Sequence, residues 1–482
     1  MKLALISPQR TTLELDPVRT GTPLGLLSIA SLIRRELPNV EIHCIDAMAE
    51  GSTNKEISTG VFRYGLTKSE LEQRLRNITP DVVGISNIFT SEWKNTQLCA
   101  EVAKECGSVV VLGGHHPTYE SEFMLRNTKA DYVVCGEGEY GFLDLLTTLM
   151  SGESPTSVNG IAFLKNNSFF QTTTSRKAIN LDFLPDPAFD LLNPSLYKPE
   201  FSHSGKIPAG KHSLIDYSLS RGCPIACTFC TSSDMWGKSI RVYSSERVRT
   251  QIRKIRSVGF DHLSLEDDQV LMIQDNSLDI LVEELGKQGF SWNIDAGVYY
   301  PLVPKRKEFF QKAAANGCYR VFLPIEHPAI KFMHEEHKYK NIKVQEDVKK
   351  HIQEASEVLN RVGIEFYVAI MVGFKEENHE TLELVRDYAR FVKEQGAAWV
   401  NFFYPKPPPG TSDYNDYHLV DPERRWQTAP EYWTLPTPVL KPKSLTITEL
   451  TTAVNQISME VNGYPNTLVS ANNYKITSEA IS

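Results

Sequence analysis

No stretch of this chain is long and apolar enough to suggest a membrane span: runs such as Val109 to Leu112 and Val368 to Val372 end after four or five residues. Met1-Lys2-Leu3 leads straight into a strand-like pattern with no basic-then-apolar leader, so no secretory signal is expected. Lysine- and arginine-rich blocks are missing and the formal charge is −8, which argues against a nucleic-acid partner. Cysteine is scarce, 8 in 482 residues, and the cysteines look unpaired, so a reducing cytoplasm is the expected compartment. No G-x-G-x-x-G follows the first strand-like run, which disfavours a bound dinucleotide. What is present has soluble, globular proportions, 41% hydrophobic and 23% charged, at a length that asks for two or three domains.

The scarce cysteines are concentrated. Cys223, Cys227 and Cys230 share the loop Ser220-Arg221-Gly222-Cys223-Pro224-Ile225-Ala226-Cys227-Thr228-Phe229-Cys230, with C-x3-C-x2-C spacing. Chance would place such a triple in about one chain in several hundred of this cysteine content. Three buried thiols packing as small hydrophobes is one reading, but the Gly, Pro and Thr around them read as loop. A closed zinc site is another, but His203 and His212 lack finger-like spacing to the triple. Three thiolates on one loop can instead hold three irons of a [4Fe–4S] cubane and leave the fourth without a protein ligand. Clusters kept for electron transfer normally have four cysteines, so an open iron implies that a substrate or cofactor binds there.

Residues 1–150 alternate between strand and helix patterns. Leu3 to Pro8 is a short buried run, Pro23 to Ile33 has helical spacing, and strand-like runs follow at Val40 to Asp46, Val82 to Ser86, Val109 to Leu112 and Tyr132 to Val134. With helices at Ser69 to Asn77 and Glu92 to Glu105, this spells a doubly wound parallel sheet. Ligands of such sheets bind beyond the carboxyl ends of the strands. Those ends carry Asp46, Ser86-Asn87, Gly113-Gly114-His115-His116 and Gly136-Glu137-Gly138-Glu139. Paired glycines there let backbone approach a bulky ligand.

Residues 151–212 read as a connector, broken by Pro185, Pro187, Pro194, Pro199 and Pro208, with a small hairpin at Ile161 to Leu164. Over 213–410 the alternation resumes. Strands are expected at Tyr217 to Ser220, His262 to Glu266, Trp292 to Ala296, Arg320 to Ile325, Phe366 to Val372 and Trp399 to Tyr404. Helices are expected near Glu246 to Ser257, Ser277 to Lys287, Lys307 to Ala315, Val344 to Arg361 and Glu380 to Glu394. Six βα units follow one another here, and in βα folds the functional groups project from the carboxyl ends of the strands. The remaining 411–482 contain Trp426, Tyr432, Trp433 and a helix pattern from Ile447 to Asn462. This tail is expected to cap these βα units and shape a substrate pocket, its aromatics fitting core and pocket alike.

The cysteine loop, with aromatic Phe229 before its last cysteine, resembles the radical S-adenosylmethionine (SAM) superfamily. The resemblance implies an α/β chain with a partial (β/α)6 barrel, in which the open iron chelates the amino and carboxylate groups of SAM. An electron from the cluster then yields methionine and a 5′-deoxyadenosyl radical. It places Glu266, Asp267 and Asp268 where the SAM amino group is contacted, an ordinary acidic turn being the other reading. It places Glu326 at a glutamate position that contacts SAM, and the backbone of Val372 and Gly373 beside the adenine. Phe229 would set its ring near the adenine or in the core. Pro409-Gly410-Thr411 matches the family's exit from its last strand.

Residues 1–150 resemble the Rossmann-like cobalamin-binding domain that precedes this barrel in one large subfamily, through Pro23-Leu24-Gly25, Val111-Leu112-Gly113-Gly114 and Cys135-Gly136-Glu137-Gly138-Glu139. Pro23, Leu24, Gly25, Asp46, Ser86, Asn87, Gly113, Gly114, His115, His116, Gly136, Glu137 and Gly138 are then the candidate corrinoid-binding residues. The D-x-H-x-x-G signature of a histidine-ligated corrinoid is absent, and His115 and His116 follow the fourth strand rather than the first. Base-off cobalamin without a histidine ligand is therefore implied, a domain that kept the fold and lost the corrinoid being the other reading. His115 and His116 read as loop polar groups near the nucleotide tail.

The implied activity is methylation of an unactivated carbon, or of a phosphorus centre, of a small molecule, using SAM twice, as methyl source for cobalamin and as radical source. Flavodoxin or ferredoxin would supply the electron. Alternatives are a radical cyclase, rearrangement or oxidation without methyl donation, and a corrinoid or iron–sulfur sensor that cleaves no SAM. Thiomethylation is disfavoured because Cys44, Cys99, Cys106 and Cys135 lack a cluster spacing. Cys318 is the last cysteine, so the tail holds no second cluster. The resemblance names no catalytic side chain, no substrate and no oligomeric state.

Overall fold

The computed structural model describes residues 1–13, 20–51, 54–173, 177–198, 208, 210–335 and 345–466; Pro199, His203, Val344 and 467–482 of the tail lie outside them. The chain divides into two compact units, Met1–Tyr197 and Lys198–Ser482.

The first unit contains β1 (Lys2–Ser7), β2 (Arg10–Thr12), α1 (Leu24–Glu36), β3 (Glu41–Asp46), α2 (Ala47–Glu50), β4 (Asn54–Ser58), β5 (Val61–Tyr64), α3 (Lys68–Ile78), β6 (Val82–Ser86), α4 (Trp93–Glu105), β7 (Val109–Gly113), α5 (His115–Tyr119), α6 (Ser121–Asn127), β8 (Tyr132–Val134), α7 (Gly138–Ser151), β9 (Ile161–Lys165) and β10 (Ser168–Gln171). Its main sheet runs β10-β9-β8-β7-β6-β1-β3, parallel from β3 to β8. Continuous apolar strands suit a sheet covered on both faces, and Leu3 to Ile6 and Val110 to Leu112 are buried throughout. From β1 the chain crosses to β3 on one side and then returns to β6 on the other. The order therefore reverses between β1 and β6, and the crevice beyond their carboxyl ends is the natural ligand position.

Two features depart from the sequence expectation. The hairpin of the supposed connector, β9 and β10, joins the main sheet as an antiparallel extension beside β8. A small antiparallel sheet, β2-β5-β4, was not foreseen, because its strands are short and mostly polar.

The second unit contains β11 (Leu214–Tyr217), β12 (Ser220–Arg221), α8 (Ser232–Trp236), β13 (Arg241–Val242), α9 (Ser245–Val258), β14 (His262–Leu265), α10 (Ser277–Lys287), β15 (Ser291–Ile294), α11 (Lys307–Ala315), β16 (Cys318–Glu326), α12 (Ile330–Glu335), α13 (Gln345–Val362), β17 (Glu365–Met371), α14 (His379–Glu394), β18 (Val400–Phe403) and α15 (Ile447–Asn462). Six parallel strands in the order β11-β14-β15-β16-β17-β18 make an open, partial barrel. The first strand ends earlier than its apolar run suggests. Ser220 leaves the sheet and pairs with Val242 in the β12–β13 ribbon, which brackets the cysteine loop.

Candidate functional site

In the first unit, the loops at the ends of β6, β7 and β8 are knitted together. The Asn87 N–H donates to the Gly113 carbonyl at 2.8 Å, and the His116 N–H to the Asn87 carbonyl at 3.3 Å. The Thr118 hydroxyl donates to the Gly114 carbonyl (2.7 Å) and accepts from the Gly136 N–H (2.9 Å). Gly114 has φ +105°, and a β-carbon there would collide with the Asn87 carbonyl. No other residue fits so close an approach.

This rim contains a polar group with nothing to bind. The Asn87 side chain is fully buried, and neither its amide nitrogen nor its oxygen has a hydrogen-bond partner among the described residues. A buried orphan of this kind costs about 1–3 kcal/mol, so a polar ligand at the switch point is the natural complement. Ser86 is half-buried beside it, and β-carbons at Gly25 and Gly136 would meet no neighbouring atom within 4 Å, which leaves backbone open to a bulky ligand. Pro23 and Leu24 open α1 without a side-chain cap, and Glu137 precedes α7 in the same way, followed by Gly138. His115 and His116 are kept neutral by burial, which pushes their pKa values down to about 4 and about 3. The residues present fit a corrinoid rich in amide groups.

Asp46 is engaged elsewhere. One carboxylate oxygen accepts from the N–H groups of Met48 and Ala49 as the cap of α2, and the other accepts from the Tyr197 hydroxyl at 2.9 Å. Burial drives its pKa up to about 6 against those hydrogen bonds. These contacts give Asp46 a structural task on the edge strand.

In the second unit, the cysteine loop is held by backbone. The Cys223 N–H donates to the Gly237 carbonyl (3.1 Å), Cys230 N–H to Cys227 carbonyl (3.2 Å), and Asp413 N–H, from the tail, to Thr228 carbonyl (3.2 Å). Gly222 has φ +117° and sits where a β-carbon would strike the Ser239 carbonyl. Arg221 lies 5.2 Å over the Trp236 ring. Cys223 is buried, while Cys227, Phe229 and Cys230 are half-buried. Three thiols on one anchored loop fit a cubane that takes one thiolate per iron.

The three acids after β14 go separate ways. Asp267 is fully buried and accepts from the Leu219 N–H (2.9 Å), the Ser220 N–H (2.6 Å) and the Ser220 hydroxyl. Burial raises its pKa to about 7 despite them. It thus ties the end of β14 to the strand leading into the cysteine loop. Asp268 accepts from the Ser232 hydroxyl at 2.7 Å, and that oxygen lies 3.4 Å from Cys230 Sγ. Glu266 accepts from the Ser264 hydroxyl at 2.7 Å. The Ser264 hydroxyl also lies 3.4 Å from Asp295 Oδ2, and Asp295 Oδ1 accepts from the Tyr367 hydroxyl at 2.8 Å.

At the next strand ends, Glu326 adopts a left-handed φ of +55° beside a register shift with β17. Such a conformation costs about 1–3 kcal/mol and persists only where surroundings enforce it. One residue on, the buried His327 pairs at 3.3 Å with Glu377, itself fully buried, which also accepts from the Gly373 N–H at 2.7 Å and from the Thr381 hydroxyl. Burial raises the Glu377 pKa, but His327 and the hydrogen bonds outweigh that and leave it lowered. The pair joins the end of β16, at Glu326, to the end of β17, at Gly373. The Val372 N–H extends the ladder to the Phe403 carbonyl (2.8 Å).

Sequence reasoning missed Asp295, Tyr367 and the His327–Glu377 pair. Their only signal was a position at or near a strand end.

The family profile of the B12 binding domain matches residues 17–146, and that of the radical SAM superfamily matches residues 217–389. The chain is a B12-binding radical SAM enzyme. It is similar to an uncharacterized methyltransferase of Pyrococcus horikoshii, 27% identical over 85% of this chain and 82% of that protein. It is 28% identical to the cytidylyl-2-hydroxyethylphosphonate methyltransferase of Streptomyces wedmorensis over 67% of this chain and 65% of that protein. The anaerobic magnesium-protoporphyrin IX monomethyl ester cyclase of Rubrivivax gelatinosus is 28% identical over 70% of this chain and 59% of its own length. The chain thus spans less than two thirds of the last two relatives. The fold matches the radical SAM methyltransferase TsrM of Kitasatospora setae, solved with cobalamin and a [4Fe–4S] cluster, with TM-score 0.64 at 14% identity over 85% of this chain and 73% of that one. Cobalamin, SAM and a [4Fe–4S] cluster are accordingly the cofactors expected of this B12-binding radical SAM enzyme. Among the described residues no helix is long and apolar enough to cross a membrane.

Proposed function

We propose that this B12-binding radical SAM enzyme is a methyltransferase acting on a carbon centre of a small molecule. The observation that carries this reading is the unmet Asn87 amide at the switch point of a B12-binding domain, in a chain that also holds the anchored cysteine triple. The methyltransferases among its relatives support it. When bound, the cluster and SAM supply a 5′-deoxyadenosyl radical and the corrinoid supplies a carried methyl group.

The chain's own residues hold and orient. Cys223, Cys227 and Cys230 are the proposed iron ligands, and Asp267 fixes the approach to their loop from behind. That removes Asp267 from the set expected to pair with the SAM ammonium, leaving Glu266 and Asp268. Glu326, with its strained backbone, and Val372–Gly373 form the rest of the proposed SAM cradle, with Phe229 beside the adenine. Pro23, Leu24, Gly25, Ser86, Asn87, Gly113, Gly114, Gly136, Glu137 and Gly138 form the proposed corrinoid rim. Asp46 is left out, since capping and Tyr197 occupy it. Neutral His115 and His116, on α5 after β7, fit a base-off corrinoid without a histidine ligand. A flavodoxin or ferredoxin is the proposed electron donor. The cytoplasm is the proposed compartment, because none of the eight cysteines is in a disulfide. Residues 411–482 are the proposed cap of the substrate pocket.

The test needs no substrate. Anaerobically reconstituted protein, with reduced cobalamin and SAM labelled in its methyl group, should transfer label to the corrinoid and, with reductant, form 5′-deoxyadenosine. Nucleoside without labelled corrinoid would favour the cyclase reading, which the Rubrivivax relative supports. Neither product would leave a sensor.

A further inference from the structure

The segment leaving the barrel carries a cation with no anion to match it among the described residues. Lys406 follows β18 at its carboxyl end, between the buried Pro405 and Pro407, whose rings fix the local backbone. Its ammonium donates to the carbonyls of Tyr404 (3.2 Å) and Leu435 (3.4 Å). Those two neutral oxygens are its hydrogen-bond acceptors among the described residues, and no carboxylate there pairs with it. An ammonium has three N–H bonds, so one donor remains. The Leu435 carbonyl also accepts from the Tyr404 N–H at 3.0 Å, so the cradle is continuous with the barrel's last strand.

The position matters as much as the missing partner. Seven residues on, Asp413 bonds the Thr228 carbonyl inside the cysteine loop, so the chain that carries Lys406 runs from the end of the last barrel strand to that loop. Other lysines of this unit are paired with carboxylates: Lys312 with Asp279 and Glu283, Lys375 with Asp416, and Lys443 with Glu376. The side chain of Lys406 is half-buried, and the protein packed about its ammonium pushes its pKa down to about 7. A lysine held that way gains most from an anion that restores its full charge.

We propose that Lys406 anchors the substrate by an oxyanion, a carboxylate or phosphate-type group, presented at the mouth of the barrel. The inference rests on the proposed function only in taking that mouth as the place of reaction. The carboxylate of SAM is the rival occupant, but the radical SAM reading already commits that group to the open iron.

The test uses the reconstituted, SAM-loaded holoenzyme under anaerobic conditions, titrated calorimetrically with inorganic phosphate and, in a second arm, with acetate. At least one anion should bind saturably, and the two arms tell phosphate from carboxylate preference. Lys406→Met should weaken that binding by about tenfold or more, the scale of one lost charge-assisted contact. Lys406→Arg should retain most of it, and both variants should keep wild-type iron content and SAM affinity. Absence of saturable binding by either anion, or equal binding by Lys406→Met, overturns the assignment. So does a loss of SAM affinity in Lys406→Met, which would hand the lysine to the SAM carboxylate. Formation of 5′-deoxyadenosine in the same samples separates this failure from failure of the radical SAM reading.

Discussion

Asp46 and Asp267 show how one residue type, at equivalent strand ends, is turned to structure by burial. Each is a carboxylate enclosed by protein and satisfied by backbone N–H groups and one hydroxyl. Burial nevertheless wins in both, lifting the pKa values to about 6 and about 7. For an acid with a raised folded pKa, the native state keeps its proton after the unfolded chain has lost it, so stability falls as pH rises between the two values. Asp46→Asn removes this dependence while keeping the cap. Between pH 4 and pH 7 the wild type should therefore lose stability relative to the variant, by roughly 3 kcal/mol at most for a shift of about two units. Thermal midpoints of the apo-protein across that range check it; a difference independent of pH would contradict the buried-acid account. Glu92, raised by burial to about 7 and further by the Asp46 charge, titrates in the same range, so Asp46→Asn is compared with and without Glu92→Gln.

Strand ends become a site when something fixes them relative to one another. In the second unit that task falls to Glu377 at the head of α14, which grips the Gly373 N–H after β17 and His327 after β16. Glu377→Gln keeps an acceptor for Gly373 but loses the charge facing His327. The proposed SAM cradle should loosen, with the SAM dissociation constant rising about tenfold and iron content unchanged. Glu377→Ala should also cost about 3–5 kcal/mol, because it strands a buried partner. Equilibrium dialysis with SAM, alongside iron analysis, reads the first effect. Unchanged SAM affinity in Glu377→Gln would reduce the pair to packing.

An open parallel sheet leaves an edge, and an uncovered edge invites association with another chain. Here α15 covers β18. Asn462 donates to the Val400 carbonyl (2.8 Å) and accepts from its N–H (3.0 Å), standing in for a seventh strand, and Asn466 donates to the Phe402 carbonyl at 3.1 Å. Arg390 and Arg386 of α14 pair with Glu460 and hold the helix in place. Asn462→Ala should cost about 1–3 kcal/mol for the two unmet backbone groups. A chain ending at residue 446 should aggregate, which size-exclusion chromatography reads; a monodisperse truncated chain would show that the edge needs no cover.

Hydrophobic periodicity placed the parallel strands of both main sheets, because continuous apolar runs have one stable home, a parallel sheet covered on both faces, though α5, α6 and α7 of the first unit went unread. The spacing of Cys223, Cys227 and Cys230 was equally legible, since three ligands on one loop are a local property of the chain. Contacts between distant residues were not. Asp267 and Ser220 are 47 residues apart, and His327 and Glu377 are 50, so no local pattern links them. The acidic run 266–268 reads as one feature, yet burial assigns its members to three different partners. Asn87 is an ordinary loop residue until the fold seals its amide away from water and leaves it wanting a ligand. Residue type and spacing set which chemistry this chain can hold; enclosure, which depends on every neighbouring element at once, chose the residues left free to perform it.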